Sequence, residues 1–237
     1  AAGGIPSIKI ILVLLLGGAL ASGGASALNH SLEEDIDRLM YRTRSRPVAS
    51  HRVSRDRAMR FGLALNLLAF LLLGFGANFL SASLAMAGSA FYVLVYTRWL
   101  KRSTAQNIVI GGAAGAVPPL VGWATVTGGL ALPAFYLFAI IFFWTPPHFW
   151  ALSLMLHRDY AAAGIPMLPV VEGERWTRWA ILLYILILNS ITLLFFLVTQ
   201  SLGLLYLVGA ALLGGAFVLY AIQLLYRVPW HILPSCS

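Results

Sequence analysis

The chain has 237 residues, of which 60% are apolar and only 10% are charged, and its formal net charge is +8. Soluble globular domains usually contain about a quarter charged residues, so this composition excludes an ordinary soluble domain. It predicts an all-α integral membrane protein, because about 20 apolar residues suffice for a helix to cross a bilayer. The single cysteine, Cys236, excludes a disulfide framework and a thiolate metal site.

Seven apolar segments are long enough to cross a membrane. They cover residues at about 5–27, 58–76, 78–97, 107–126, 131–156, 177–199 and 202–226. Three polar loops, at about 29–57, 98–106 and 157–176, hold nearly every charged residue. Because Lys and Arg in short loops mark the cytoplasmic side, we expect these loops on that side and the N-terminus on the other. The basic residues of these loops are not interleaved with aromatic residues. We therefore expect them to act as topology signals or anion ligands, and we expect no nucleic-acid interface.

The first polar loop carries oxygen ligands at a regular spacing. Asn29, Glu33 and Asp37 follow one another at intervals of four residues, so they would share one stripe of a continuous helix. A bridging cation would relieve the repulsion between these carboxylates, and Mg²⁺ prefers hard oxygen ligands that leave positions open for phosphate. Arg42 and Arg46 could then hold phosphate through forked hydrogen bonds. The alternative is a solvated loop with local salt bridges.

The third polar loop follows a helix that contains a histidine. Asp159 is the natural acidic partner for a metal held by the first loop. His148 lies eleven residues before it, about three turns on a straight helix, which places both side chains on one face. A histidine at such depth usually faces a cavity. The alternative is that His148 satisfies a carbonyl group freed by Pro146 and Pro147.

The middle loop contains three cations and no acid. Arg98, Lys101 and Arg102 act either as a topology signal alone or as ligands of a polyanion. If the latter holds, the three loops together form a site for diphosphate and Mg²⁺ over an apolar cavity between helices.

These motifs resemble those of the UbiA-type intramembrane prenyltransferases and, within that family, those of its haem-farnesylating members. The likeness extends from Ile5 to Tyr226. The residues that carry it, in chain order, are Asn29, Asp35, Asp37, Arg42, Arg46, Pro47, Tyr96, Thr97, Lys101, Arg102, Asn107, Gly111, Gly112, Pro118, Pro119, Pro147, His148, Trp150, Asp159, Tyr160, Gly164, Pro166 and Pro169.

The resemblance implies a multi-span helical bundle that transfers a farnesyl group from farnesyl diphosphate to the vinyl group of haem b. It implies that diphosphate leaves with the help of Mg²⁺, that an allylic cation forms, and that water capture leaves a hydroxyl group. The implied roles are catalysis for Asn29, Asp35, Asp37 and Asp159; metal binding for Asn29, Glu33, Asp37 and Asp159; diphosphate binding for Arg42, Arg46, Lys101 and Arg102; and a haem-side position for His148.

Two positions depart from the pattern of the family. Glu33 stands where the family usually has Asp, and Ala163 stands where the wider family often has a further carboxylate. By the same comparison we expect one transmembrane domain over residues 1–237 that lacks the first and last family helices, because the segment after Arg227 does not resemble the last one.

The resemblance also implies a cellular setting. It favours a bacterial inner membrane, with the mitochondrial inner membrane as the alternative, and contacts with haem A synthase or with terminal oxidase assembly. Three other interpretations stay open: a sister enzyme that prenylates a quinone precursor or a chlorophyll-type ring, a multi-span transporter or scaffold, and an inactive remnant.

Overall fold

The computed structural model describes residues 4–199 and 202–226. Cys236 and the segment after Arg227 on which the sequence comparison relied lie outside these ranges. Every secondary-structure element within these ranges is a helix. In chain order they are α1 (Ile8–Leu32), α2 (Glu34–Leu39), α3 (Arg55–Gly76), α4 (Phe79–Ala90), a π-helical segment (Phe91–Leu100), α5 (Lys101–Ser103), α6 (Asn107–Gly115), α7 (Val117–Thr127), α8 (Leu132–Met155), α9 (His157–Ala162), α10 (Leu168–Val171), α11 (Gly173–Val198) and α12 (Leu204–Tyr226).

Seven helical stretches in the described ranges are long and apolar enough to cross a membrane. Five of them are single helices, whereas α4, the π-helical segment and α5 run on as Phe79–Ser103, and α6 and α7 run on as Asn107–Thr127. The predicted fold class and the seven predicted spans are confirmed.

Several predicted boundaries are wrong, because polar residues continue the helices beyond the apolar runs. The first span ends at Leu32 instead of residue 27, and the third ends at Ser103 instead of residue 97. Contacts between these two spans hold their polar ends together, as described below. The second span begins at Arg55, because the Ser54 hydroxyl group accepts a hydrogen bond from the backbone N–H of Arg57 and caps the helix.

The first four spans pack around close helix contacts. At the crossing of α1 and α3, a Cβ atom added to Gly24 would lie 2.8 Å from the carbonyl oxygen of Gly62, so only glycine lets the two backbones approach this far. The side chain of Asn78 caps α4 and also donates a hydrogen bond of 2.8 Å to the carbonyl oxygen of Ala124 on α7. These contacts fix α4 against α7.

The last three spans form a second group. Trp150, Leu154, Ile181 and Ile185 join α8 to α11 in a buried apolar cluster. The final span, α12, packs against α11 and buries only Ala221 among its described residues. It therefore contributes little to the core.

Two spans end in the same way, with a break followed by a helix of six residues. Glu33 separates α1 from α2 with φ −106° and ψ 18°, and Leu156 separates α8 from α9 with φ −110° and ψ 17°. The expected continuous helix through Asn29, Glu33 and Asp37 is thus interrupted at Glu33. A straight helix from His148 to Asp159 is likewise wrong, because these residues lie on either side of Leu156.

Candidate functional site

The two short helices α2 and α9 share a buried apolar cluster at one end of the bundle. Ile36 on α2 and Met40, which caps α2, belong to this cluster with Tyr160 on α9 and with Ile165 and Met167 just beyond it. Since successive spans run in opposite directions, all the acidic residues of the chain come to this same end. The buried apolar contacts therefore gather the polar motifs predicted from separate loops.

The π-helical segment turns a row of polar side chains toward α1. Its hydrogen bonds join residues five apart, so Tyr92, Thr97 and Arg102 lie along one face. The side chain of Asn29 donates a hydrogen bond of 3.1 Å to the Thr97 hydroxyl group, and both residues are buried. This bond holds the end of α1 to the end of the third span.

Glu33 belongs to a polar cluster formed by the charged residues of the first and middle loops, and it is 1% exposed. The ammonium group of Lys101 donates a hydrogen bond of 2.6 Å to Glu33 Oε2. The second oxygen, Glu33 Oε1, is buried and accepts no hydrogen bond from any described residue. A buried carboxylate oxygen without a donor is costly, so this atom is poised to bind a cation.

Each of the other two acids of the motif also faces an arginine. Arg46 donates to both carboxylate oxygens of Asp37 at 2.9 Å, and the Thr43 hydroxyl group donates to the Asp37 carbonyl oxygen. Arg102 forms a forked pair with Asp35 at 2.7 and 2.8 Å. Asp37 is 2% exposed, whereas the Asp35 side chain is 64% exposed.

These contacts perturb two groups outside the spans. The hydrogen bonds from Arg102 lower the pKa of Asp35 below its usual range. Burial raises the pKa of the Tyr160 phenol, with a further increase from the negative charges of Glu33 and Asp159, although the positive charge of Arg42 beside this phenol opposes the shift. Arg42 and Asp159 are thus both close enough to Tyr160 to act on it electrostatically.

Of the predicted site residues, the structure brings nearly all to this end of the bundle. Four pairs form there: Asn29 with Thr97, Glu33 with Lys101, Asp35 with Arg102 and Asp37 with Arg46. Arg42 and Asp159 lie near Tyr160 at the same end. His148 is placed differently: its ring stacks on Trp144 at 4.4 Å between centroids, beside the edge of Phe149. Its haem-side position stays a prediction.

The residues present fit a magnesium ion, although the ligand set stays a prediction. Within residues 4–199 and 202–226, no three Asp, Glu, His or Cys side chains lie close enough together to form a metal-binding group. Glu33 and Asp37 each bind a cationic side chain instead. The donor set is nevertheless oxygen-rich, and the unpartnered Glu33 Oε1 atom supplies the hard, buried ligand that Mg²⁺ prefers.

A cavity of about 720 Å³ opens next to the polar cluster. Its walls come from α1, α4 and the fourth span and are mostly small or apolar, from Leu14 and Val121 at one end to Ser26 and Tyr92 at the other. Leu14 and Ser26 are twelve residues apart on α1, which corresponds to about 18 Å. The cavity is therefore long enough for an extended isoprenoid chain.

Reasoning from the sequence missed the roles of Thr97 and Tyr160. Both belong to motifs that carried the family resemblance, but neither carries a charge or a metal-ligating group that would mark it. The spacing of five residues between Tyr92, Thr97 and Arg102 could have pointed to Thr97. This spacing suits a π-helix, and a search for apolar residues at α-helical spacing does not detect it.

A membrane helix bundle with basic and acidic residues gathered at one end and an apolar cavity between its helices defines the class of the protein. Residues 1–229 match the model of the UbiA prenyltransferase family, and the chain belongs to this family. The fold agrees: a UbiA homologue from Archaeoglobus fulgidus, solved with GPP and Mg²⁺, superposes with a TM-score of 0.73 at 14% identity, over 93% of this chain and 76% of that one.

More similar relatives carry a more specific name. The chain is 54% identical over 213 residues to a protoheme IX farnesyltransferase of a Synechococcus species, which covers 90% of this chain and 64% of that protein. It is 53% identical over 226 residues to a protoheme IX farnesyltransferase of Symbiobacterium thermophilum, which covers 95% of this chain and 75% of the relative. The chain thus spans about two thirds to three quarters of the length of these two relatives.

Proposed function

We propose that the chain transfers a farnesyl group from farnesyl diphosphate to a vinyl group of haem b. The observation that carries the proposal is the identity of 54% and 53%, over at least nine tenths of this chain, to two proteins named protoheme IX farnesyltransferase. The polar cluster beside a long apolar cavity supports the same chemistry, because an isoprenoid diphosphate has one strongly anionic end and one apolar end.

Four cations would hold the diphosphate. Lys101, Arg102 and Arg46 each bind an acidic side chain of the first polar loop, and Arg42 lies near Tyr160 at the same end of the bundle. When diphosphate binds, these cations would exchange carboxylate oxygens for phosphate oxygens, with which arginine forms equally favourable forked hydrogen bonds. The positive charges would then stabilise the charge that develops as diphosphate leaves.

Glu33 and Asp37, which this exchange releases, would hold Mg²⁺. Asn29 and Asp159 would supply further ligands, with Asp35 in support. When bound, the ion would neutralise the leaving diphosphate. Because acids and cations exchange partners together, neither set is left as buried, unpaired charge, which would be strongly destabilising.

The cavity would shield the reacting end of the farnesyl group. Apart from three serines and a tyrosine, its wall residues are Ala, Gly, Leu, Val and Pro, which give an allylic cation no nucleophile. Excluding bulk water protects the cation until the vinyl carbon attacks. The cellular setting expected from the family, an inner membrane with the charged end on the cytoplasmic side and contacts with haem A synthase or oxidase assembly, belongs to the same proposal.

The proposal is tested by substrate choice in membranes that contain the chain. With farnesyl diphosphate and Mg²⁺, we expect a farnesylated product from haem b and none from 4-hydroxybenzoate. Asp159→Ala should abolish turnover, because it removes one of the proposed Mg²⁺ ligands. Asp56→Ala, which removes an exposed acid at the start of α3, is the matched control and should retain activity. Prenylation of 4-hydroxybenzoate alone would contradict the haem assignment.

A further inference from the structure

Two serine hydroxyl groups interrupt the apolar wall of the cavity. Ser22 and Ser26 lie one turn apart on α1 and both line the cavity, where both are exposed. Across the cavity, Ser89 on α4 contributes a third hydroxyl group. The remaining wall is mostly apolar, so these three groups are a local polar feature that the proposed farnesyl chain would not require.

Hydroxyl groups in membrane helices normally bond to a carbonyl group of the preceding turn. Thr125 and Thr145 follow this rule, with bonds of 2.8 Å to Val121 and Ile141. Ser190 does the same, with a bond of 3.0 Å to Leu186. In contrast, neither the Ser22 nor the Ser26 hydroxyl group forms a hydrogen bond with any residue that the structure describes.

The third hydroxyl group is held in place by a buried amide. Ser89 donates a hydrogen bond of 2.6 Å to Oδ1 of Asn66, which is 8% exposed. The Asn66 amide nitrogen in turn donates to the Gly62 carbonyl oxygen at 2.9 Å. The proton of Ser89 is thus committed to Asn66, and its oxygen is left to accept a hydrogen bond from the cavity.

The serines lie close to the proposed reacting end of the isoprenoid. Ser26 precedes Asn29 by three residues on α1, which corresponds to about 4.5 Å along the helix axis. An ordered water molecule needs about two to four polar partners, which these three hydroxyl groups can supply. Because serine is a weak base, its contribution would be to hold water in place and not to remove its proton.

We propose that Ser22 and Ser26, with Ser89 opposite, are positioning residues for the water molecule that gives the product its hydroxyl group. This inference rests on the proposed function and on the capture of water that the family resemblance implies. The electron pair of the vinyl double bond forms the new bond to C1 of the farnesyl group, and the C1–O bond breaks as diphosphate leaves with its electron pair. The water oxygen then bonds to the cationic vinyl carbon, and its surplus proton passes to diphosphate.

The inference predicts which product forms when the water is misplaced. A cation that meets no water loses a neighbouring proton instead and gives an alkene that is lighter by one water molecule. The test measures the ratio of alkene to alcohol by mass analysis, with haem b, farnesyl diphosphate and Mg²⁺ supplied to the full chain in membranes. Loss of one hydrogen bond to the water should raise this ratio about fivefold, which corresponds to about 1 kcal/mol.

We expect Ser26→Ala, and more strongly the double variant with Ser22→Ala, to raise the ratio. Ser26→Thr keeps a hydroxyl group and should give the wild-type ratio of alkene to alcohol. This result would show that the change in Ser26→Ala comes from the lost hydroxyl group and not from a defect in folding. Ser190→Ala is the matched control and should leave the ratio unchanged. A normal ratio in the double variant, with wild-type yield, would overturn the inference alone. No farnesylated haem from the wild-type chain would overturn the proposed function as well.

Discussion

At the scale of single residues, the site consists of acids and cations that satisfy one another. Glu33 binds Lys101, Asp37 binds Arg46 and Asp35 binds Arg102. The sequence predicted which residues would meet, because their chemistry is visible in the motifs. It assigned the acids to a metal and the cations to phosphate, and its alternative of local salt bridges did not identify which acid pairs with which cation.

Removing one partner of the buried pair should destabilise the protein. In Lys101→Met, the carboxylate of Glu33 stays 1% exposed without a counterion, which should cost about 3–5 kcal/mol in the free energy of unfolding. The double variant with Glu33→Gln should recover most of this loss without recovering diphosphate binding. Thermal unfolding in detergent measures the first effect and titration with farnesyl diphosphate the second.

The control for that pair is Arg98→Met, which removes an exposed cation from the same segment and should change stability little. If Lys101→Met were as stable as the wild type, the buried ion pair would not hold the two spans together.

The pair between Asp35 and Arg102 predicts a dependence on pH. The pKa of Asp35 is lowered in the folded protein from an ordinary value of 3.8, so its contribution to stability is complete above that value and is lost as the pH falls through the lower folded pKa. Thermal unfolding should show Asp35→Asn less stable than the wild type near neutral pH, and the difference should vanish in strong acid. A difference that is constant with pH would contradict this assignment.

At the scale of elements, the helix ends determine the geometry of the site. Apolar runs predicted the number of spans, because length and hydropathy alone define them. They did not predict the breaks at Glu33 and Leu156 or the π-helical segment, because these depend on contacts between helices. The π-helical register is what brings both Thr97 and Arg102 to the first motif.

The contact between α1 and α3 predicts a sharp difference between two adjacent glycines. In Gly24→Ala, the new Cβ atom would meet the Asn66 side chain and lie 2.8 Å from the Gly62 carbonyl oxygen, which should cost about 1–3 kcal/mol of stability. In Gly23→Ala, the nearest such atom would be 3.7 Å away, in ordinary contact with Leu65. Thermal unfolding of the two variants should therefore differ clearly, and equal stability would exclude a tight crossing at Gly24.

At the scale of the whole molecule, the bundle places polar chemistry at one end and an apolar cavity beneath it. This arrangement follows from the alternation of the spans, which returns the charged segments to the same end after every second crossing. Charge distribution in the sequence predicted that end. The motifs also predicted an apolar cavity beneath that end. They did not predict which residues line it, because the spaces between helices depend on how small residues such as Gly18, Ala85 and Gly115 meet in three dimensions.

The most direct measurement is mass analysis of the haems extracted from membranes that express this 237-residue chain in a host without its own haem-farnesylating activity. The same host with Asp37→Ala serves as the control. We predict haem with a hydroxylated farnesyl side chain from the wild-type chain and none from Asp37→Ala, with both proteins inserted in the membrane. Unmodified haem b alone from the inserted wild-type chain, or equal product from Asp37→Ala, would contradict the proposed reaction at this site.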